Sequence, residues 1–171
     1  MTRSRSITFL TSLAAIPLAV LALAACGGSN SSASPPTTSN GGAATLGVAN
    51  TGLGDVLVNS QGRTLYLFQK DSGTQSTCSG ACASNWPPLQ ANGKPTEGSG
   101  ADASMVGTTM RSDGKPQVTY HGHPLYLFEG DQKPGDTKGE GVNAFGANWY
   151  AVSPAGNQVV SSPNSGGGYG Y

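Results

Sequence analysis

The chain has 171 residues, with nine Lys/Arg balanced by nine Asp/Glu, and 26 glycines. A formally neutral chain does nothing to favour nucleic acid, which calls for a basic face. Its low charge and abundant glycine suit a loop-rich extracytoplasmic β protein better than a helical enzyme.

The first 25 residues carry Arg3 and Arg5, followed by an uncharged apolar run from Ile7 to Ala25, the pattern of an export signal. The stretch Leu23-Ala24-Ala25-Cys26, followed by Gly27-Gly28, resembles the lipobox of bacterial lipoproteins. That resemblance implies cleavage before Cys26 and a diacylglycerol on its thiol. Two or three acyl chains, at about 0.8 kcal/mol per buried CH₂, would anchor the protein in a membrane. Loss of Arg3 and Arg5 leaves seven basic groups against nine acidic ones. The expected location is the outer face of a bacterial cell membrane, with a partner in the envelope. Residues 26–45 comprise the lipid-bearing Cys26 and a linker without large apolar side chains beyond it, too polar to offset its own chain entropy. Residues 161–171 read as a second Gly/Ser/Tyr segment of the same kind.

Between them, residues 46–160 have the size of one domain. Laid without a gap on residues 107–131, residues 47–71 match at Gly47/Gly107, Gly54/Gly114, Val58/Val118, Gly62/Gly122, Leu65/Leu125, Tyr66/Tyr126, Leu67/Leu127, Phe68/Phe128 and Asp71/Asp131. Trp86 and Trp149 extend the correspondence after three inserted residues. The domain is therefore two copies of one unit, about 46–104 and 105–160. Each copy reads as a hairpin, turning at Gln61-Gly62 or His121-Gly122 and returning through Leu-Tyr-Leu-Phe. In that return Leu65 and Leu67 share one face, Tyr66 and Phe68 the other, which predicts a strand buried on both sides. Further strands are expected at Val106–Arg111, Trp149–Ser153 and Gln158–Ser161. A short helix is expected in Cys78–Trp86, stopped by Pro87-Pro88. The fold class is mainly β, two pseudo-symmetric hairpin repeats sharing an aromatic core that neither copy could close alone.

The duplicated Tyr-x-aromatic-x-x-Asp, here Tyr66/Phe68/Asp71 and Tyr126/Phe128/Asp131, stands downstream of the lipobox. With the Cys-x-x-x-Cys-Ala-x-x-Trp-Pro-Pro of the first copy, it resembles the bacterial secreted-repeat lipoproteins. That family is one of unknown function, so the resemblance implies location and architecture without an activity.

Four groups of side chains could carry chemistry. Cys78 and Cys82, the thiols remaining after lipidation of Cys26, are expected to form a disulfide in an oxidising envelope, with redox cycling as the alternative. His121 and His123, separated by one residue, would share a strand face and could hold copper, zinc or haem iron, with Met105, Met110 or a carboxylate completing the site; as hairpin-turn residues they would only be polar. Asp71 and Asp131 could act as an acid/base pair in a hydrolase, or cap their own turns through backbone N–H groups. Glu129, Asp131, Asp136 and Glu140 make an acidic loop without calcium-loop spacing. No nucleophile elbow or phosphate loop is present. The leading expectation is a non-catalytic binding or scaffolding module with no cofactor. A metal- or redox-linked module and a carboxylate hydrolase are the rivals.

Overall fold

A computed structural model of the chain describes residues 43–160. The signal segment, Cys26, most of the linker and the tail from residue 161 lie outside the described residues.

Strand β1 (Thr45–Thr51) pairs antiparallel with β2 (Gly54–Asn59) through a tight turn. The Thr51 hydroxyl donates to the Gly54 carbonyl and accepts the Leu53 N–H across that turn. The chain then runs through β3 (Tyr66–Phe68), a short helix α1 (Ala81–Asn85) and β4 (Thr96–Glu97), which lies parallel on the outer edge of β1. The second copy repeats the plan with β5 (Val106–Met110), β6 (Pro116–Tyr120), β7 (His123–Pro124), β8 (Asn143–Ala144) and β9 (Ala147–Ala151). The expected strands at Val106–Arg111 and Trp149–Ser153 appear as β5 and β9, and the expected helix as α1. Gln158 makes only an isolated bridge to Val152, so no strand forms at 158–160. The second Leu-Tyr-Leu-Phe is likewise not a continuous strand; Tyr126 alone bridges Tyr66 and Pro88.

The hairpins differ in a way that shifts the internal alignment. The first uses a three-residue loop, Ser60-Gln61-Gly62, closed by Asn59 N–H donating to the Arg63 carbonyl at 2.9 Å. In the second, Tyr120 pairs directly with His123, leaving only His121 and Gly122, both at positive φ (50° and 81°). Two consecutive left-handed residues match the twist of the flanking strands. One residue fewer in the turn moves β6 by one position. Leu57 and Val118 are therefore the structural counterparts, each accepting from the leucine that opens the returning segment, Leu65 or Leu125. The ungapped pairing of Val58 with Val118 is corrected by this register.

The copies do not sit side by side; they exchange strands. β9 of the second copy pairs with β3 of the first, Phe68 opposite Trp149. Reciprocally, Pro87–Leu89 of the first copy lies against Leu125–Leu127 of the second, with Leu127 N–H to the Pro87 carbonyl and Leu89 N–H to the Leu125 carbonyl, both 2.9 Å. Leu57 N–H reaches the Val152 carbonyl, while Val118 N–H reaches that of Leu89. At the centre Tyr66 and Tyr126 exchange both backbone hydrogen bonds, each 2.9 Å, marking a local pseudo-twofold axis.

The alternation read from Leu-Tyr-Leu-Phe holds. Leu65, Leu67 and Leu125 enter one apolar cluster with Leu46, Leu57, Val118 and Tyr120, while Tyr66, Phe68 and Tyr126 enter a second with Trp86, Trp149 and the cysteines. Both clusters draw residues from both copies. Because the bonds that satisfy each copy's central strand come from the other, fragments 43–104 and 105–160 expressed separately should each show a disordered far-UV circular dichroism spectrum. The full chain should instead unfold in one cooperative urea transition.

Candidate functional site

Exchanged strands bring the repeated motif residues of opposite copies together. The Tyr66 hydroxyl donates to Asp131 Oδ2 at 2.6 Å, and the Tyr126 hydroxyl to Asp71 Oδ2 at 2.6 Å. Each aspartate also ties down the loop after it: Asp71 Oδ1 accepts the Thr77 N–H and hydroxyl, and Asp131 Oδ1 accepts the Lys138 N–H. The capping role expected for these carboxylates is present, but it spans six or seven residues and is shared with the other copy's tyrosine. The two carboxylates have no partner in common, so they are not arranged as an acid/base dyad.

Burial decides the ionisation of these groups. Desolvation, reinforced by the hydrogen bond and charge of Asp131, holds the Tyr66 phenol far above its ordinary range. Tyr126 is held up in the same way by burial and by Asp71. Burial also raises the Asp131 carboxyl, against the opposing effect of hydrogen bonds from Tyr66 and from Lys138 N–H. Both phenols therefore remain neutral donors at physiological pH.

The rings of the two motifs and the two tryptophans form one continuous stack. Phe68 lies on Trp149 at 4.0 Å between centroids, Trp149 on Trp86 at 4.0 Å, and Trp86 on Phe128 at 4.3 Å. Tyr66 meets Trp86 edge-on at 5.4 Å, and Tyr126 meets Trp149 edge-on at 5.1 Å. Each phenylalanine thus stacks on the other copy's tryptophan, and the two tryptophans meet between them. Each such pair adds about 0.5–1.5 kcal/mol beyond area burial. Gly139 is required where its chain crosses the stack, because a Cβ there would come within 2.8–2.9 Å of the Tyr66 and Trp86 rings.

Cys78 and Cys82 are joined as a disulfide, and both are buried beside Trp86 and Tyr126. Closing so short a loop removes about 2 kcal/mol of unfolded-chain entropy on the loop-closure formula. The buried guanidinium of Arg111 holds this loop from the second copy, donating to the Cys78 carbonyl and the Ser76 hydroxyl, both at 2.7 Å, and to Gln117 Oε1 at 2.9 Å. Ser76 in turn hydrogen-bonds the Tyr126 hydroxyl at 2.7 Å, completing a chain from Arg111 to Asp71. Arg111, Gln117 and Ser76 carry no sequence signal: an arginine after a strand is ordinarily solvated, and only the tertiary fold buries this one.

His121 and His123 do not share a strand face, because His121 occupies the turn itself at φ 50°. Their rings meet edge-on with centroids 6.4 Å apart. Burial and the neighbouring His121 lower the His123 pKa, with Asp71 opposing, so His123 is neutral. Met105 meets this turn through its carbonyl, which accepts the His121 N–H, while its side chain packs on the apolar core. Met110 is at the far end of the β5–β6 hairpin, opposite Pro116. Among the described residues no three His, Cys, Asp or Glu cluster in a way that could hold a metal ion. In the acidic loop Asp136 accepts the Gln132 N–H and pairs with Lys138 at 3.4 Å, while Glu140 reaches out of the loop to accept the Ala151 N–H.

Pseudo-symmetry breaks on one side of the junction. Around Asp131, the Arg63 guanidinium donates to the Phe128 carbonyl, and the Thr64 hydroxyl to the Asp136 carbonyl. Around Asp71, the counterpart of Arg63 is the shorter His123, and a groove of about 300 Å³ opens there between Phe68, Gln69, Asp71, His123, Asn157 and Gln158. This groove, lined by both apolar and polar side chains, is the candidate binding site.

The family described as a secreted repeat of unknown function matches residues 47–90 and 107–153, the two interleaved copies. The chain belongs to this family. No curated protein and no solved structure matches it. Among the described residues no helix is long and apolar enough to cross a membrane.

Tyr66→Phe should destabilise the fold by about 1–3 kcal/mol, because it strips a donor from buried Asp131 and an acceptor from Gly139 N–H. The Asp131 pKa should rise further, read by carbon-13 titration of its carboxyl. Since the folded-state pKa of Asp131 is already raised, its stabilising contribution is fully present below the unfolded value of about 3.8 and is lost as pH rises through the folded value. In urea unfolding, Asp131→Asn should therefore gain on the wild type with increasing pH across that window. Asp102 and Asp113, held low mainly by hydrogen bonds from Ser104 and from the Lys115 N–H, act in the opposite sense but equally in both chains.

Proposed function

We propose that this protein is a lipid-anchored component of a bacterial cell envelope whose exported domain is a non-catalytic binding module. What carries the reading is the commitment of Asp71 and Asp131. Every acid/base-capable carboxylate of the repeated motif is held by a tyrosine of the opposite copy and by its own loop, so the motif builds the fold rather than a reaction centre. The chemistry beside them is the imidazole of His123, the amide of Asn157 and the amide pair in which Gln69 Nε2 donates to Gln158 Oε1 at 2.9 Å, a set suited to hydrogen-bonding a small polar ligand or a loop of a partner. A carboxylate hydrolase has less support, as Asp71 and Asp131 share no partner. A copper, zinc or haem site at His121 and His123 has less support as well, with no third ligand clustered beside them among the described residues. Cycling of the cysteine pair is disfavoured by its burial among the aromatic rings.

The anchor rests on Leu23-Ala24-Ala25-Cys26. Expressed in a bacterial host with labelled fatty acid, the full chain should incorporate label and sediment with membranes. Cys26→Ala should lose the label and the processed, acylated form. Equal labelling of both chains would remove the anchor from this reading.

A further inference from the structure

The two copies differ at one backbone edge. In the first, the outward carbonyl of Leu46 accepts the Gly98 N–H, and the outward N–H of Val48 donates to the Ser99 carbonyl at 3.0 Å, so β4 and the residues after it cover β1. In the second, β5 pairs with β6 alone, in the sheet ordered β5-β6-β7. Tyr120 faces His123 across the two-residue turn and Val118 accepts from Leu125, so Thr119 and Gln117 are the β6 residues that bond to β5. Their partners are Gly107 and Thr109. The backbone groups of Thr108 and Met110 and the Val106 carbonyl therefore point away from the sheet, while the Val106 N–H is taken by Ala103.

β5 is the outer strand of its sheet, and Val-Gly-Thr-Thr-Met contains neither charge nor proline. Such residues normally guard an exposed edge against pairing, as Lys94, Pro95 and Glu97 do around β4. Two further features lie on this edge. Met110, at its end, is 62% exposed. Alongside its first three residues is a groove of about 540 Å³, lined by Val106, Gly107 and Thr108 of the strand and by Lys94, Pro95 and Glu97 across from them.

We propose that β5 is a self-association edge, at which two copies of this chain pair antiparallel about a twofold axis through Thr108. The register is dictated by the strand. Its middle residue faces outward, so Thr108 meets Thr108 of the second copy and the two exchange N–H and carbonyl groups. Val106 then lies opposite Met110 of the second copy, whose N–H meets the Val106 carbonyl. The same register carries the exposed Met110 side chain over the groove at Val106, and symmetry repeats the contact. A single twofold operation thus pairs the Thr108 groups, gives the Val106 carbonyl a donor and sets each Met110 against the other copy's groove, as an isologous interface requires. A heterologous strand would satisfy the edge but would leave the exposed Met110 without its counterpart in the groove. The pairing does not depend on lipidation or on the groove beside His123.

The test is disulfide trapping of the full chain in the envelope of a bacterial host, read on non-reducing gels. At a hydrogen-bonded antiparallel pair the Cα atoms are about 5.5 Å apart, within the range a disulfide spans. Thr108→Cys should therefore give a covalent dimer in clear excess over Lys133→Cys, an exposed loop position. Met110→Lys replaces the apolar contact with a charge at the interface, so adding it to Thr108→Cys should weaken pairing about tenfold or more. A dimer yield no higher than that of Lys133→Cys, or one unchanged by Met110→Lys, would overturn the proposal. So would trapping of Thr108→Cys to a chain of different mass.

Discussion

The hydrogen bond from the tyrosine of one copy to the aspartate of the other is the constraint around which this domain is arranged. It can form only when the two Leu-Tyr-Leu-Phe segments run antiparallel through Tyr66 and Tyr126, because both hydroxyls must then reach carboxylates that lie beyond the opposite strand's end. That crossing brings each Trp-bearing segment onto the other copy and sets Trp86 against Trp149. A polar pair buried in an apolar cluster costs heavily unless it is satisfied. Here each carboxylate also accepts a backbone N–H, so the pair specifies one arrangement of the loops.

Duplication is thus an obligate partnership rather than two modules in tandem. A single copy would present a central strand with unpaired backbone groups on one side, an aromatic face without its stacking partner, and an aspartate without its phenol. Small domains bury a modest fraction of their surface, and interleaving lets two short units with few large side chains share one core. The glycine content has a matching explanation at particular sites: Gly122 supplies a left-handed turn residue, and Gly139 lets the chain pass across the Tyr66 and Trp86 rings.

The two copies depart from symmetry at two places on the surface. A groove lies next to Asp71 where His123 stands in place of Arg63, and among the described residues β5 has no equivalent of β4 beside it, which leaves an open edge. The first goes with a shorter side chain; in the second copy the chain after β9 folds back on it instead. Where the copies remain alike, at tyrosine, phenylalanine, tryptophan and aspartate, they build the interior.

Much of this was legible in the residues alone. The nine identities between residues 47–71 and 107–131 declared the duplication, and the alternation in Leu-Tyr-Leu-Phe assigned each side chain to its cluster, because a strand's period of two is a local property of the backbone. The spacing and compartment of Cys78 and Cys82 pointed to their bond for a similarly local reason. The one-residue shift that pairs Leu57 with Val118 was hidden, since it depends on a turn with two left-handed residues that an ungapped alignment cannot register. The role of Asp71 and Asp131 was half visible: loop capping is written in the sequence near them, but their phenol partners lie 55 and 65 residues away. Burial of Arg111, separation of Met110 from the histidine turn and the bare edge of β5 were decided only by the tertiary structure. Each depends on which strand packs beside which, a long-range choice settled by hydrophobic burial and backbone pairing together rather than by any single stretch of chain.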